Sequence, residues 1–374
     1  MSVFDIFGNA VMPYDMSGNP CPTYDIHGNL TGDYNIASSD YERSILTARD
    51  AWIAEAREDT SIVPVVVHSD QHGNLTANNA LFAYLSKAVP WSNASACIGL
   101  GDTVENYSVS GFQNMKTCLS GIPKSKQINI WGNHDTWGTF PPTENEIAVW
   151  NVYFNNSAFN GHHKYNDYGI EYMIDEARKI KYVVIGGWEY DPVLGGHSHY
   201  NIGSDSMDYI IEMLSQSDGY DIVVLSHVQP FNYQSVDDWI HPPVEDGEIQ
   251  GGGGGMSVGV GALVNAVETT IDQMLIDRKN KASGTVKDSY GNSHAYDFTG
   301  CNSDLICCFA GHEHCDKYMW QNGDIPVYLF DAYAYDNHPI YFVNVDRTNR
   351  RMNIWKINDS PTVYNYQIPF DAPA

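Results

Sequence analysis

Short runs of β-branched and aliphatic residues recur along the chain, and each stops abruptly at a glycine, a histidine or a carboxylate. The clearest are residues 62–67, 96–100, 127–131, 222–226 and 305–310. Runs of this length, apolar throughout, predict strands buried on both faces. Between them, apolar residues at three- and four-residue spacing predict helices. One covers about 40–57, with Ser39 or Asp40 as cap and Ile45, Trp52 and Ile53 on one face. Another starts at Thr76 and buries Leu81, Leu85 and Ala88; a third covers 205–217 with Met207, Ile210, Ile211 and Leu214. A fourth follows five consecutive glycines between Gln250 and Met256 and carries Leu263, Val267, Ile271, Met274 and Leu275. Residues 171–174 and 181–185 read as two strands joined by a polar turn, 155–170 as loop, and 282–304 as a hairpin about Gly291-Asn292. Strand-like runs at 326–330, 340–345 and 352–357 close the series. Alternation of this kind predicts an α/β domain over 38–360, with the glycine run as a hinge or loop inside it and 361–374 as a C-terminal tail.

Residues 1–37 follow a different rule. Units of ten begin at Phe4-Asp5-Ile6, Tyr14-Asp15-Met16, Tyr24-Asp25-Ile26 and Tyr34-Asn35-Ile36, and the first three run on into Gly-Asn. Each reads as a short strand with one aromatic anchor and a turn. Units so short bury nothing alone, so they should stack on each other or on a partner. They resemble the tyrosine–aspartate repeats of large bacterial surface and toxin proteins, with a shorter period. The segment is therefore a candidate for self-association or for docking to a larger assembly; a flexible acidic leader is the plainer alternative, since no Lys or Arg precedes Arg43.

Composition narrows the function classes. The chain of 374 residues is 43% hydrophobic and 13% aromatic, enough for one large core with an appendage and unlike a disordered protein. No apolar run approaches the roughly 20 residues of a membrane-spanning helix. The start lacks the basic and apolar regions of a signal peptide, so a cytoplasmic location is expected, with a virus particle or release by lysis as the alternatives. A net charge of −26 disfavours nucleic acid as partner, although bound cations could still bring in a phosphorylated substrate. Seven cysteines, with Cys307 and Cys308 adjacent in a strand-like run, read as buried thiols in a reducing compartment rather than a disulfide framework.

The strand ends carry the chemistry. Five separate runs deliver Asp70 with His72, Asp102, Asn133 with His134, His227, and His312 with His314. Carboxylate, imidazole and amide oxygen together suit intermediate divalent metals such as Mn, Fe or Zn. The carboxyl ends of neighbouring strands in an α/β sheet converge on one crevice, and a carboxylate there can bridge two metals. Singly, each residue has an ordinary reading: His227 as a core histidine, Asp102 as a turn or cap residue, His312-Glu313-His314 as a surface metal binder. Trp131, Trp137, Trp188 and Tyr190 stand near these ends as pocket or packing residues, and Cys315 as packing. Five strand ends in a row with ligand-type residues outweigh the separate explanations.

The series Asp70-Gln71-His72, Gly101-Asp102, Gly132-Asn133-His134-Asp135, His227 and Gly311-His312-Glu313-His314 resembles the calcineurin-like metallophosphoesterase superfamily, over about residues 60–357 and with all five motif blocks in order. The resemblance implies an α/β fold, a four-layer α-β-β-α sandwich of two mixed sheets, to which the N-terminal repeat is an extension. It implies two divalent metal ions, the first held by Asp70, His72 and His314, the second by Asn133, His227 and His312, with Asp102 bridging. His134 would face the substrate phosphate, and Asp135 would orient or tune it. The implied function is hydrolysis of phosphoric esters, by in-line attack of a bridging hydroxide, on a phosphorylated small molecule or polymer; mono- or diester preference stays open. The rival is a structural or assembly protein, a surface or virus-particle component, that uses the same fold as a metal-binding scaffold.

Overall fold

The apolar runs become the middle strands of two mixed sheets. The computed structural model describes residues 3–4, 10–11 and most of 40–371; outside the described set lie the rest of 1–39, residues 58, 74–81, 83–84, 106, 137–143, 168, 187–201, 229, 231–270, 313, 315, 322–324, 332–338, 358–362 and 372–374. The glycine run, Thr76, Leu81, Leu263, Val267, Trp137, Trp188, Tyr190, Glu313, Cys315 and most of the N-terminal repeat therefore lie outside the described residues. Of the repeat, Val3–Phe4 (β1) and Ala10–Val11 (β2) form a small antiparallel pair.

The first sheet contains Ile62–His68 (β3), Ala96–Gly99 (β4), Gln127–Asn129 (β5), Ile340–Asp346 (β15), Arg351–Ile357 (β16) and Val363–Pro369 (β17), in the order β17-β16-β15-β3-β4-β5. β3, β4 and β5 are parallel, and the remaining pairings are antiparallel. The second contains His163–Lys164 (β6), Ile170–Asp175 (β7), Ile180–Ile185 (β8), Asp221–Leu225 (β9), Leu305–Ala310 (β12), Lys317–Gln321 (β13) and Ile325–Leu329 (β14), in the order β13-β14-β12-β9-β8-β7-β6. Here β8, β9, β12 and β14 are parallel. Ser283–Lys287 (β10) and Ser293–Asp297 (β11) form the expected hairpin, with Gly291 at φ +84° in its turn.

Alternation along the strands sorts side chains into layers. Val63, Val65, Val67, Ala96, Ile98 and Ile128 of the first sheet pack with Tyr182, Val184, Val223, Leu225, Cys307 and Phe309 of the second, forming the core between the sheets. The opposite faces carry Val66 and Cys97 on one side and Val183, Val224 and Cys308 on the other, covered by helices. The helix Asp40–Ala56 covers β15, where Trp52 Nε1 donates to the Val343 carbonyl at 3.0 Å. The helices Ser204–Ser215 and Ile271–Asn280 cover the second sheet. The result is the four-layer α-β-β-α sandwich. Each fully buried Val, Ile or Leu contributes roughly 1.5–3 kcal/mol, and both faces of the inner strands are used.

Among the described residues, several elements were not expected from the pattern, β6 inside the stretch 155–170 read as loop among them. Glu144–Phe154 is a helix that buries Trp150 and Phe154. β13 pairs with β14, and β17, within the stretch read as a C-terminal tail, is the last strand of the first sheet. β17 hides Tyr366 and Ile368 and exposes Asn365 and Gln367, the alternation of a half-covered strand. The five described cysteines are buried.

Candidate metal centre

β3, β4, β5, β9 and β12 all end at one edge of the sandwich, three from one sheet and two from the other. All seven residues expected as ligands meet there. Their donor atoms fall into two groups, Asp70, His72, Asp102 and His314 in one, and Asp102, His227 and His312 in the other. Asn133 joins the second group, its Oδ1 3.0 Å from His227 Nε2 and 2.9 Å from His312 Nδ1.

Backbone strain is concentrated at these strand ends. Asp70, His72, Asp102, His312 and His314 all have left-handed backbone, with φ between 44° and 69°. Such conformations cost a non-glycine residue on the order of 1 kcal/mol each and persist where surrounding structure imposes them. The glycines beside them make room. A Cβ at Gly132 would lie 2.1 Å from Asp102 N and Oδ1, and one at Gly311 would lie 2.0 Å from Ser69 Oγ.

Asp70 and Asp102 divide their oxygens in the same way. Asp70 Oδ2 accepts from the Ser69 hydroxyl and from the His312 amide. Its Oδ1 is buried with no hydrogen bond and lies 3.3 Å from His314 Nε2 and 4.0 Å from His72 Nε2. Asp102 Oδ1 accepts from the His134 amide at 2.8 Å and lies 3.4 Å from His227 Nε2. Its Oδ2, also buried without a hydrogen bond, lies 3.8 Å from His72 Nε2 and 3.9 Å from His134 Nε2. A buried carboxylate oxygen without a donor is costly, and a cation is what satisfies it. The donor set therefore fits two divalent cations that share Asp102.

The electrostatics agree. Burial would raise Asp70, but the close approach of His314 and the charges of His227, His314 and His72 outweigh it and hold the carboxyl well below its usual range. For His227 burial lowers the value, and the Asp102 carboxylate more than reverses this, bringing it to about 9. Without a cation, a proton on His227 balances the buried carboxylates. His227 Nδ1 lies 2.7 Å from the Leu100 carbonyl, which can only accept, so Nδ1 carries a proton and Nε2 is the atom turned to the site. His72 and His312 are both pushed down by burial, His312 to about 4, and so are neutral imidazoles suited to ligation.

His134 and Asp135 have different surroundings. His134 Nδ1 is 2.6 Å from the Glu105 carbonyl and donates to it, leaving Nε2 toward Asp102. Asp135 is fully buried; its oxygens accept from the Gly132 amide at 2.9 Å and the Val104 amide at 3.1 Å, joining the loops after β5 and β4. Burial and the Asp102 charge raise it to about 8. What holds the His134 ring in place is thus Glu105. The Glu105 carboxylate also lies 2.8 Å from His72 Nδ1, so one residue steadies two imidazoles. Sequence reasoning missed it; the signal was a carboxylate three residues beyond Asp102 in the same loop. Trp131 is buried against Trp150, ring centroids 4.5 Å apart, and packs rather than lining the site.

No protein-family model matches the sequence, and neither does any curated protein. Among solved structures, the fold is similar to that of a dimetal phosphatase from Danio rerio, at 10% identity and a TM-score of 0.52, covering 83% of this chain and 99% of that one. Weaker similarity extends to GAP50, the anchor in the inner membrane complex of Plasmodium (7% identity, TM-score 0.44, 84% and 90% covered), and to the phosphopantetheinyl hydrolase of Mycobacterium tuberculosis (11%, 0.33, 73% and 91%). The four-layer sandwich is thus the fold shared with that dimetal phosphatase, as expected from the motif series. Among the described residues no helix is long and apolar enough to cross a membrane.

Proposed function

We propose that this chain is a metal-dependent hydrolase of phosphoric esters with a dinuclear centre. The observation that carries the reading is Asp102, which presents one oxygen to each of two groups of ligand atoms. Asp70, His72 and His314 would complete the first position and Asn133, His227 and His312 the second. The donor chemistry favours Mn, Fe or Zn. Such ions, when bound, supply Lewis-acid stabilisation of phosphoryl oxygens and lower the pKa of water at the site.

The chain's own residues supply the rest. Asp70 and Asp102 bring the negative charge that draws cations into a buried site. His227 presents Nε2 because Leu100 fixes its tautomer, and a cation held there would take the place of its proton. His134, held through Nδ1 by Glu105, turns Nε2 to the reacting group, where it can donate a proton or neutralise developing charge on phosphoryl oxygen. Asp135 fixes the loop that presents Asn133 and His134. The substrate class that suits such a site is a phosphorylated small molecule or polymer.

The test is hydrolysis of p-nitrophenyl phosphate and bis-p-nitrophenyl phosphate by the full chain loaded with Mn²⁺. Wild type should turn over at least one, and Asp102→Ala and His134→Ala should each fall by 100-fold or more. Wild type and variants equally inert across metals and pH would overturn the reading.

A further inference from the structure

The opposite edge of the sandwich, where β3, β4, β5 and β8 begin, holds a cavity of about 290 Å³. Arg57, Lys126 and Arg178 line it, with Asp175 as the one carboxylate among the described residues and Ser92 and Asn93 as neutral polar residues. This reverses the sign of the surroundings: the whole chain has 20 Lys and Arg against 46 Asp and Glu, yet among the described residues here three cations gather around one acid.

That acid makes its hydrogen bonds elsewhere. Asp175 accepts from the amides of Ala177 at 3.0 Å and Arg178 at 3.2 Å and from the Ser95 hydroxyl. Among the described residues it forms no ion pair with the three cations. Their donors are only partly used. Arg178 spends Nη1 on the carbonyls of Ala56, Asp59 and Ile62, which leaves Nε and Nη2 without a described partner. Lys126 gives one of its three N–H groups to the Ala94 carbonyl at 2.7 Å. Burial lowers the pKa of both Lys126 and Arg178, and the Asp175 charge offsets this only in part. Cations brought together in a half-enclosed space without matching negative charge repel one another unless an anion joins them.

We propose that this cavity is a binding site for a small tetrahedral oxyanion of the phosphate type, separate from the metal centre. The net positive charge of the lining matches a dianion, and guanidinium with ammonium suits tetrahedral oxygens. The volume lies just below the usual range of small-ligand pockets, about 300–1,000 Å³, and no aromatic ring is among the described residues that line it, so these offer a nucleobase no stacking partner. β3 has seven residues, which at about 3.3 Å per residue puts the cavity some 20 Å from the metal centre. One small phosphoester cannot reach both. The inference does not rest on the hydrolase reading.

The experiment is phosphate titration of the full chain by calorimetry at fixed ionic strength, in the Asp102→Asn background so that phosphate at the metal centre does not contribute. One phosphate should bind, with 5′-AMP at least tenfold weaker. Lys126→Met and Arg57→Gln in that background should each weaken phosphate at least tenfold. Arg57 makes no described hydrogen bond, so its variant should fold as the parent does, and circular dichroism would verify this. In the otherwise wild-type chain, both substitutions should leave phosphoester turnover unchanged. Absence of phosphate binding, or binding unaltered by both substitutions, would overturn the proposal; tighter binding of 5′-AMP would replace the small anion with a phosphate carried on a larger molecule.

Discussion

The imidazoles of His72 and His314 face each other nitrogen to nitrogen, with 3.2 Å between their Nε2 atoms. Two lone pairs cannot share that separation, so in the metal-free chain one nitrogen carries a proton. Burial lowers His72, whereas for His314 the same effect is outweighed by Asp70, which makes His314 the proton carrier. A cation between the two nitrogens and Asp70 Oδ1 would take that proton's place. His314→Ala should therefore lower the metal content from two ions to one per chain, read by elemental analysis after dialysis. Two ions retained would contradict the assignment of the first position.

Asp102 should matter for stability as well as function. Burial and the Asp70 charge would raise its carboxyl, but His227 and His72 outweigh them and hold it below its usual range, so the folded chain favours the charge. Asp102→Asn leaves the protonated His227 without its main partner, so the metal-free protein should lose about 1–3 kcal/mol, a few degrees in Tm. The same variant should lose the rise in Tm that Mn²⁺ gives wild type and should drop at least 100-fold in turnover. Thermal scans with and without metal check both halves.

Glu105 should act through the imidazoles it steadies. Residues that orient a ligating histidine typically change metal affinity by 10–100-fold when removed. Glu105→Ala should weaken metal binding by that factor, and Glu105→Gln, which keeps a side-chain oxygen near His72 Nδ1, should weaken it less. Equal affinities for wild type and Glu105→Ala would show that the contact does not orient His72.

Gly132→Ala tests the crowding behind Asp102. The added methyl would lie within bonding range of Asp102 N, so the loop must move, at a cost of about 1–3 kcal/mol. Gly300, where a Cβ meets nothing within 4 Å, is the control and should change by less than about 0.5 kcal/mol as Gly300→Ala. Chemical denaturation of both variants distinguishes them.

Far from the site, Asp288 anchors the β10–β11 hairpin to the helix Ser204–Ser215. Burial would raise its pKa, but hydrogen bonds from Ser204 and Asn292 lower it from 3.8 to about 2. A depressed carboxylate stabilises fully above its unfolded value, and that contribution disappears as pH falls from about 4 toward 2. Asp288→Asn should cost about 1–2 kcal/mol at pH 7 and well under about 1 kcal/mol at pH 2. Urea midpoints at the two pH values measure the difference.

Much of this was legible because strands covered on both faces need unbroken apolar runs, and the polar residues that interrupt them stand out. Asp70, Asp102, Asn133, His227 and His312 are visible for that reason. β17 was not, because prolines flank it and its alternation is that of a half-covered strand. Glu105 was hidden because it sits, exposed, in a loop, and its partners His72 and His134 are distant in sequence. The left-handed backbone at Asp70 and His72 has no sequence signature, since glycine is the residue that announces it and neither position has one.

The centre draws three strand ends from one sheet and two from the other, so it bridges the seam of the sandwich. Its ligand spacing is then a caliper on how far apart the sheets lie. Phe309 and Tyr182, buried between the sheets, set that gap as surely as any histidine. A substitution there that shifts the layers by a fraction of an ångström would pull His227 and His312 away from Asp102 while leaving both sheets intact. Ion pairing at the seam would fail before the protein unfolds.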